Sequence, residues 1–296
     1  MAKQLGTGSK AVALGSGDAS ALESLGQVGI EQVVHIADAG LDKLDAQNYC
    51  KAVAEIAASS GAKYVVLSHN YTGRSIASRL GVKLNAGVIA GVIELPVEEG
   101  GRQLFKRSCF SGKGYAYVAS KSETTVISIA PNSFPVTLGE GTASVEASSV
   151  SIDAAKVTVT GEDKITDAIP LSEAELVVSG GRGLRGPENW GMIEEMAEIL
   201  GAATACSRAV ADVDWRPHHE HVGQTGLAIS PNLYIAIAIS GAIQHLAGVN
   251  SSRTIVVINK DPEAPFFKSA DYGIVGDAFD VVPKLNEALK KHKASA

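Results

Sequence analysis

The chain has 296 residues, of which 45% are hydrophobic and 20% charged, with a formal net charge of −6. This is the balance of a globular protein of one large or two ordinary domains, with enough apolar residues for a sizeable core and no basic run to attract nucleic acid. The three cysteines, Cys50, Cys109 and Cys206, stand far apart without CxxC spacing, which argues against a cysteine metal site and for a reducing compartment.

In chain order, the opening MAKQLGTGSKAVALG lacks the charged-then-apolar profile of a secretory signal. No apolar run approaches a bilayer span, so a soluble protein without membrane insertion is expected. KAVAL (10–14), QVVHIA (32–37) and KYVVLS (63–68) are short, β-branched apolar runs that read as buried parallel strands. AQNYCKAVAEIAASSG (46–61) has apolar residues at helical spacing and a glycine stop, and SIASRLGVKLNAG (75–87) reads as a further helix. Their alternation predicts an α/β layer with a parallel sheet. RQLFKRSCFSGKGYAYVAS (102–120) shows two strand-like arms around Ser-Gly-Lys-Gly, a hairpin signal. KSETTVISIA (121–130) adds a strand to what is expected to be an antiparallel patch. PNSFPVTLGEGTASVEASS (131–149) is rich in Pro, Gly and Ser, and the following stretch has little helical pattern. A domain boundary is therefore expected near residue 165, giving domains 1–165 and 166–296.

The second half supplies five strand candidates: AELVVSG (174–180), GAATACS (201–207), YIAIAIS (234–240), TIVVIN (254–259) and YGIVGD (272–277). Helical patterns at 187–200, 241–248 and 282–292 separate several of them, which predicts a doubly wound, Rossmann-like parallel sheet. In such sheets ligands lie outside the carboxyl ends of the strands. Those ends carry Gly181-Arg182, Ser207-Arg208, Ser240-Gly241, Asn259 and Asp277, small or hydrogen-bonding residues throughout. A single polar ligand of nucleotide size along that edge is the expectation.

Three constellations each admit two readings. GRGLRG (181–186) fits the dinucleotide fingerprint after a strand, but the acidic residue expected at the next strand end is replaced by Ser207-Arg208. It is an NAD site or a tight glycine turn. SGAIQH (240–245) runs from a strand end through a glycine into a helix, as a phosphate site would, with His245 one turn on; the alternative is an ordinary turn with a solvated histidine. HHEH (218–221) is a metal cluster or a polar loop over a ligand, and its consecutive histidines in an extended loop cannot all face one ion. No G-x-S-x-G nucleophile elbow is present.

LVVSGGRGL (176–184), CSRAVAD, VGQTG, LYIAIAISGAIQHLAG and TIVVINKDPEAPFFKSADYGIVGD (254–277) together resemble the α subunit of electron transfer flavoproteins. The first half is similar more loosely, through segments such as SIASRLGVKLNAG, so the resemblance covers almost the whole chain. It implies a C-terminal FAD-binding domain, a heterodimer with a β subunit, and single-electron shuttling from dehydrogenases to a quinone reductase or other acceptor, without substrate chemistry of its own. It also implies residue roles. Arg182 would meet the nucleotide, Ser207 the flavin or ribityl chain, and Arg208 would lie against the ring. Val222, Gly223, Gln224 and Thr225 would wrap the flavin, with the Thr225 hydroxyl near N5. Ser240, Gly241, Ala242, Ile243 and Gln244 would hold the pyrophosphate, with His245 near the C2 carbonyl. Asn259, Asp277 and the backbone at Ala278 would meet phosphates or adenosine.

Two departures stand out against the family pattern. His221 occupies a position where the family usually has glutamine. The family also opens with a strand and most of a helix ahead of the segment matching AKQLGTGSKAVALG, which implies a gap in the first domain. The competing readings are an NAD-dependent oxidoreductase resting on GRGLRG and a flavin-free nucleotide-binding subunit. The missing signals suggest bacterial cytoplasm, or the mitochondrial matrix for a mature eukaryotic protein.

Overall fold

The computed structural model describes residue 5 and residues 8–110, 112–162 and 169–295. The chain divides into two compact units, Met1–Ser108 with Tyr115–Asp163 and Cys109–Gly114 with Lys164–Ala296. The boundary expected near residue 165 lies outside the described residues.

In the first unit, β1 (Lys10–Leu14), β2 (Gln32–Ile36) and a later strand, Ser144–Ala147, form an all-parallel sheet with β2 in the middle. A short helix, α1 (Ala19–Glu23), connects β1 to β2. Helix α2 (Ala46–Ser59) starts where the Asp45 carboxylate accepts from the Gln47 and Asn48 amides, and it buries Cys50, Val53, Ala54 and Ala57 along one stripe. Next come β3 (Tyr64–Ser68) and α3 (Tyr71–Lys83). The latter begins four residues ahead of the expected helix at 75–87, because Asn70 caps it by accepting from Gly73 N.

A six-stranded sheet then combines β3 with β4 (Gly87–Val92), β5 (Val97–Glu99), β6 (Arg102–Cys109), β7 (Gly114–Val118) and β8 (Thr125–Ile129). The expected hairpin is β6–β7. The structure corrects the reading of KSETTVISIA, since β8 is not part of the antiparallel patch. It returns between β3 and β4 and runs parallel to both. Thr125, Val126, Ile127 and Ser128 are all buried, as a strand covered on both faces requires. The strand at 144–147 is β9; it is absent from the sequence reading, its residues being mostly exposed at a sheet edge.

The second unit is a five-stranded, all-parallel sheet in the order β11-β10-β12-β13-β14. Its strands are β10 (Leu176–Gly180), β11 (Ala203–Cys206), β12 (Leu233–Ile237), β13 (Ile255–Asn259) and β14 (Tyr272–Val275). Strand order reverses between β10 and β12, which is where a doubly wound sheet opens its ligand crevice. One face packs Val178, Ile235, Ile237 and Ile258 under α4 (Gly191–Leu200) and the C-terminal helix Ala278–Ser295. Val177, Ala205, Tyr234, Val257 and Phe266 cover the other. Two further helices complete the unit: α5 (Arg208–Ala211) directly after β11, and α6 (Ile243–Val249) after β12. The C-terminal helix is α7. No helix among the described residues is long and apolar enough to cross a membrane.

Candidate functional site

At the crevice the backbones of β10 and β12 come into close contact. A Cβ on Gly181 would lie 2.2 Å from the Ala238 carbonyl, and Gly183 N donates to that same oxygen at 3.3 Å. Ala238 sits at φ +54, in the left-handed region that non-glycine residues avoid. This is the packing that GRGLRG serves. Its residues form a 3₁₀ turn at Arg182–Leu184, and α4 begins only at Gly191, beyond the motif. The helix N-terminus that a dinucleotide fingerprint needs at this point is therefore absent from the motif, and the geometry removes the support for the NAD reading.

VGQTG ties the strand ends together. Val222 N donates to the Cys206 carbonyl at 3.1 Å, at the end of β11. Two residues on, Gln224 N donates to the Gln244 carbonyl of α6 at 2.7 Å. The loop closes on itself through Gly223 N to Leu227 O (3.0 Å) and Leu227 N to His221 O (2.9 Å). Glycine is needed where it meets the helix: a Cβ on Gly248 would fall 2.5 Å from Gly223 N and Cα. Ser207-Arg208, Val222–Thr225 and Ser240–His245 are thus brought to one place by one loop. Gln224 and Thr225 are exposed there, as are Ser240, Ala242, Ile243 and Gln244, and no side chain caps α6. Ser207 precedes α5 without using its hydroxyl as a cap. Arg208 is 63% exposed at its side chain and reaches Asp212 at 3.2 Å.

His245 is buried, not solvated. Its Nε2 lies 2.8 Å from the Tyr234 hydroxyl, while Nδ1 is buried without a hydrogen-bond partner among the described residues. Burial pushes its pKa down to about 4; His221 adds to the shift and the Val222 backbone opposes it. His221 itself turns inward, 7% exposed, with its ring beside Gly226 and Gly223. Burial lowers its pKa too, Asp212 opposing and Arg208 and His218 assisting.

HHEH separates. His218 and His219 are exposed. Glu220 turns to Arg216, which grips both its oxygens at 2.9 and 2.6 Å and reaches Glu194 with its third nitrogen at 2.8 Å. No group of three metal-ligating side chains converges among the described residues. Cys206, under the loop, has its thiol pushed up to about 12 by burial, with Glu220 adding to it.

The remaining expected residues lie at the ends of β10, β13 and β14 or just after them. Asn259 donates to the Ile239 carbonyl at 2.9 Å and accepts from Asp261 N, so its amide braces the turn that leads to Ser240. Asp277 caps α7 through Phe279 N (3.1 Å) and pairs with Arg185 at 2.9 Å. Arg182 is exposed, and the side chain of Ala278 is buried in the core under α7. Arg185, Tyr234 and Ser179 were not singled out from the sequence. The available signal for the last two was a hydroxyl inside an otherwise apolar strand.

A family model described as "Electron transfer flavoprotein FAD-binding domain" matches residues 170–250, and one described as "Electron transfer flavoprotein domain" matches residues 1–155. Several curated relatives carry the name electron transfer flavoprotein subunit alpha. The protein of Bacillus subtilis (strain 168) is 36% identical over 95% of this chain and 87% of its own length. That of Syntrophomonas wolfei is 38% identical over 98% and 92%, and that of Pseudomonas aeruginosa 36% over 97% and 92%.

Proposed function

Because the chain belongs to the electron transfer flavoprotein family, as an α subunit, we propose that it holds FAD along the carboxyl edge of its five-stranded sheet and works as a heterodimer with a β subunit. In that role it carries single electrons from dehydrogenases, such as acyl-CoA dehydrogenases, to a membrane quinone reductase or a comparable acceptor. The family is one of electron carriers rather than enzymes, and no general acid or covalent nucleophile is asked of the site. When bound, FAD supplies the one-electron chemistry that such a carrier needs.

The residues fit this cofactor by their own geometry. The observation that carries the reading is the buried, partnerless Nδ1 of His245 beside a loop that joins β11 to α6. A buried polar atom without a partner is costly, and a ligand acceptor would satisfy it. The uncapped first turn of α6, with Ser240 and Gly241 before it, offers backbone donors to a pyrophosphate. Val222–Thr225 would wrap the ring, with Ser207 beside it. Arg208 is available because an exposed i,i+4 pair is worth only about 0.3–0.5 kcal/mol, so leaving Asp212 costs little. Arg182 and the Ala278 backbone would face the nucleotide end, while Asn259 and Asp277 hold the turns around it.

Arg208 and His245 favour added negative charge on the ring more than the neutral ring, which raises the potential of the first electron. His245→Ala is expected to retain FAD and to lower that potential, and Arg208→Ala to shift it the same way. A first reduction potential unchanged in His245→Ala would remove this histidine from the account.

A further inference from the structure

Behind His245 lies a buried polar chain that nothing in the binding of a cofactor requires to be there. Tyr234, on the central strand β12, has no exposed surface, and its hydroxyl meets His245 Nε2 at 2.8 Å. Ser179 of β10, also fully buried, has no hydrogen-bond partner among the described residues, and His245 Nε2 is the one hydrogen-bond partner that the Tyr234 hydroxyl meets among them. Phe266 packs edge-on against the imidazole at 5.7 Å and tilted against the phenol at 6.3 Å, and its amide holds the Ser240 carbonyl at 3.1 Å. The two rings are thus fixed in position.

We infer that Tyr234 is a positioning residue: its hydroxyl donates to His245 Nε2 and so fixes the imidazole as the Nδ1–H tautomer, presenting a donor to the cofactor. The direction follows from counting protons. The phenol carries one proton and, fully buried, needs an acceptor for it; among the described residues His245 Nε2 is the hydrogen-bond partner it meets. The tyrosine proton therefore goes to Nε2, and a neutral imidazole accepting at Nε2 carries its own proton on Nδ1. The reverse order leaves a hydroxyl proton in the core without an acceptor and leaves Nδ1 a bare lone pair, unable to stabilise negative charge. Burial supports the same picture: it holds Tyr234 protonated and His245 neutral. The inference rests on the FAD reading for what Nδ1 meets, but not for where the proton lies.

Nitrogen-15 NMR of the imidazoles tests it. The samples are the full chain co-purified with its β subunit, and the same chain stripped of flavin, with His245→Gln assigning the signal. Wild type is expected to carry the proton on Nδ1 of His245, and Tyr234→Phe to lose that preference. On the loaded complexes, Tyr234→Phe is expected to lower the first reduction potential by less than His245→Ala, and the double variant to match His245→Ala. A wild-type imidazole protonated on Nε2 overturns the inference, whether or not any variant folds. So does a Tyr234→Phe effect that adds in full to that of His245→Ala. A complex without FAD would instead overturn the proposed function, and the tautomer would still decide the role of Tyr234.

Discussion

The burial of His245 makes stability depend on pH. The unfolded chain binds the His245 proton at the ordinary 6.5, whereas the folded imidazole resists it down to about 4. Stability from this group is therefore fully present above pH 6.5, falls as the pH drops toward 4, and levels off below that, a loss on the order of 3 kcal/mol. Denaturant midpoints across this range should fall more steeply for wild type than for His245→Gln; parallel curves would contradict it. Glu220 makes a second prediction. Its side chain is 9% exposed and holds Arg216 by two bonds, but Arg216 keeps Glu194 if the first carboxylate is lost. Glu220→Gln should thus cost about 1.5–3 kcal/mol, the value of a charged hydrogen bond, rather than the larger penalty of a stranded charge. At this scale VGQTG stood out in the sequence only through the family resemblance, and SGAIQH was open between a phosphate site and an ordinary turn, because which groups a loop faces is decided by contacts far away in the chain. Tyr234 and Ser179 stayed hidden because a hydroxyl in an apolar strand looks like core until its neighbours across the sheet are known.

The site depends on one loop being pressed against one short helix. Gly248→Ala would place a methyl against the Gly223 backbone, where no flexible side chain can yield. Overpacking of this kind costs about 1–3 kcal/mol. It should also part VGQTG from α6, so flavin retention after gel filtration should drop; full retention with unchanged stability would show that the contact does not matter. Element boundaries were legible where burial is two-sided, as in β10, β12 and β13, whose residues are mostly buried, and β1 was found from its apolar run although none of its residues is fully buried. β9 was not, because an exposed edge strand carries no such run, and β8 was found but misoriented. Its neighbours β3 and β4 are chosen by a chain return around the β5–β7 patch, a non-local fact that local alternation cannot carry. Asn70 explains the early start of α3, a capping signal four residues outside the apolar pattern.

At the scale of the whole chain, both tryptophans, Trp190 and Trp215, lie in the second unit and pack into its core. Their fluorescence therefore reports on the unit proposed to bind the cofactor. A ligand present at a hundred times its dissociation constant adds about 2.7 kcal/mol to the folded state, so FAD should raise the tryptophan-monitored unfolding midpoint. A midpoint indifferent to FAD would place the cofactor elsewhere. The central claim is tested most directly by the absorption spectrum of the chain co-purified with its β subunit. The expected result is an equimolar flavin whose reductive titration resolves two one-electron steps, the first of them at a lower potential in His245→Ala. A colourless complex that takes up NADH instead would contradict it.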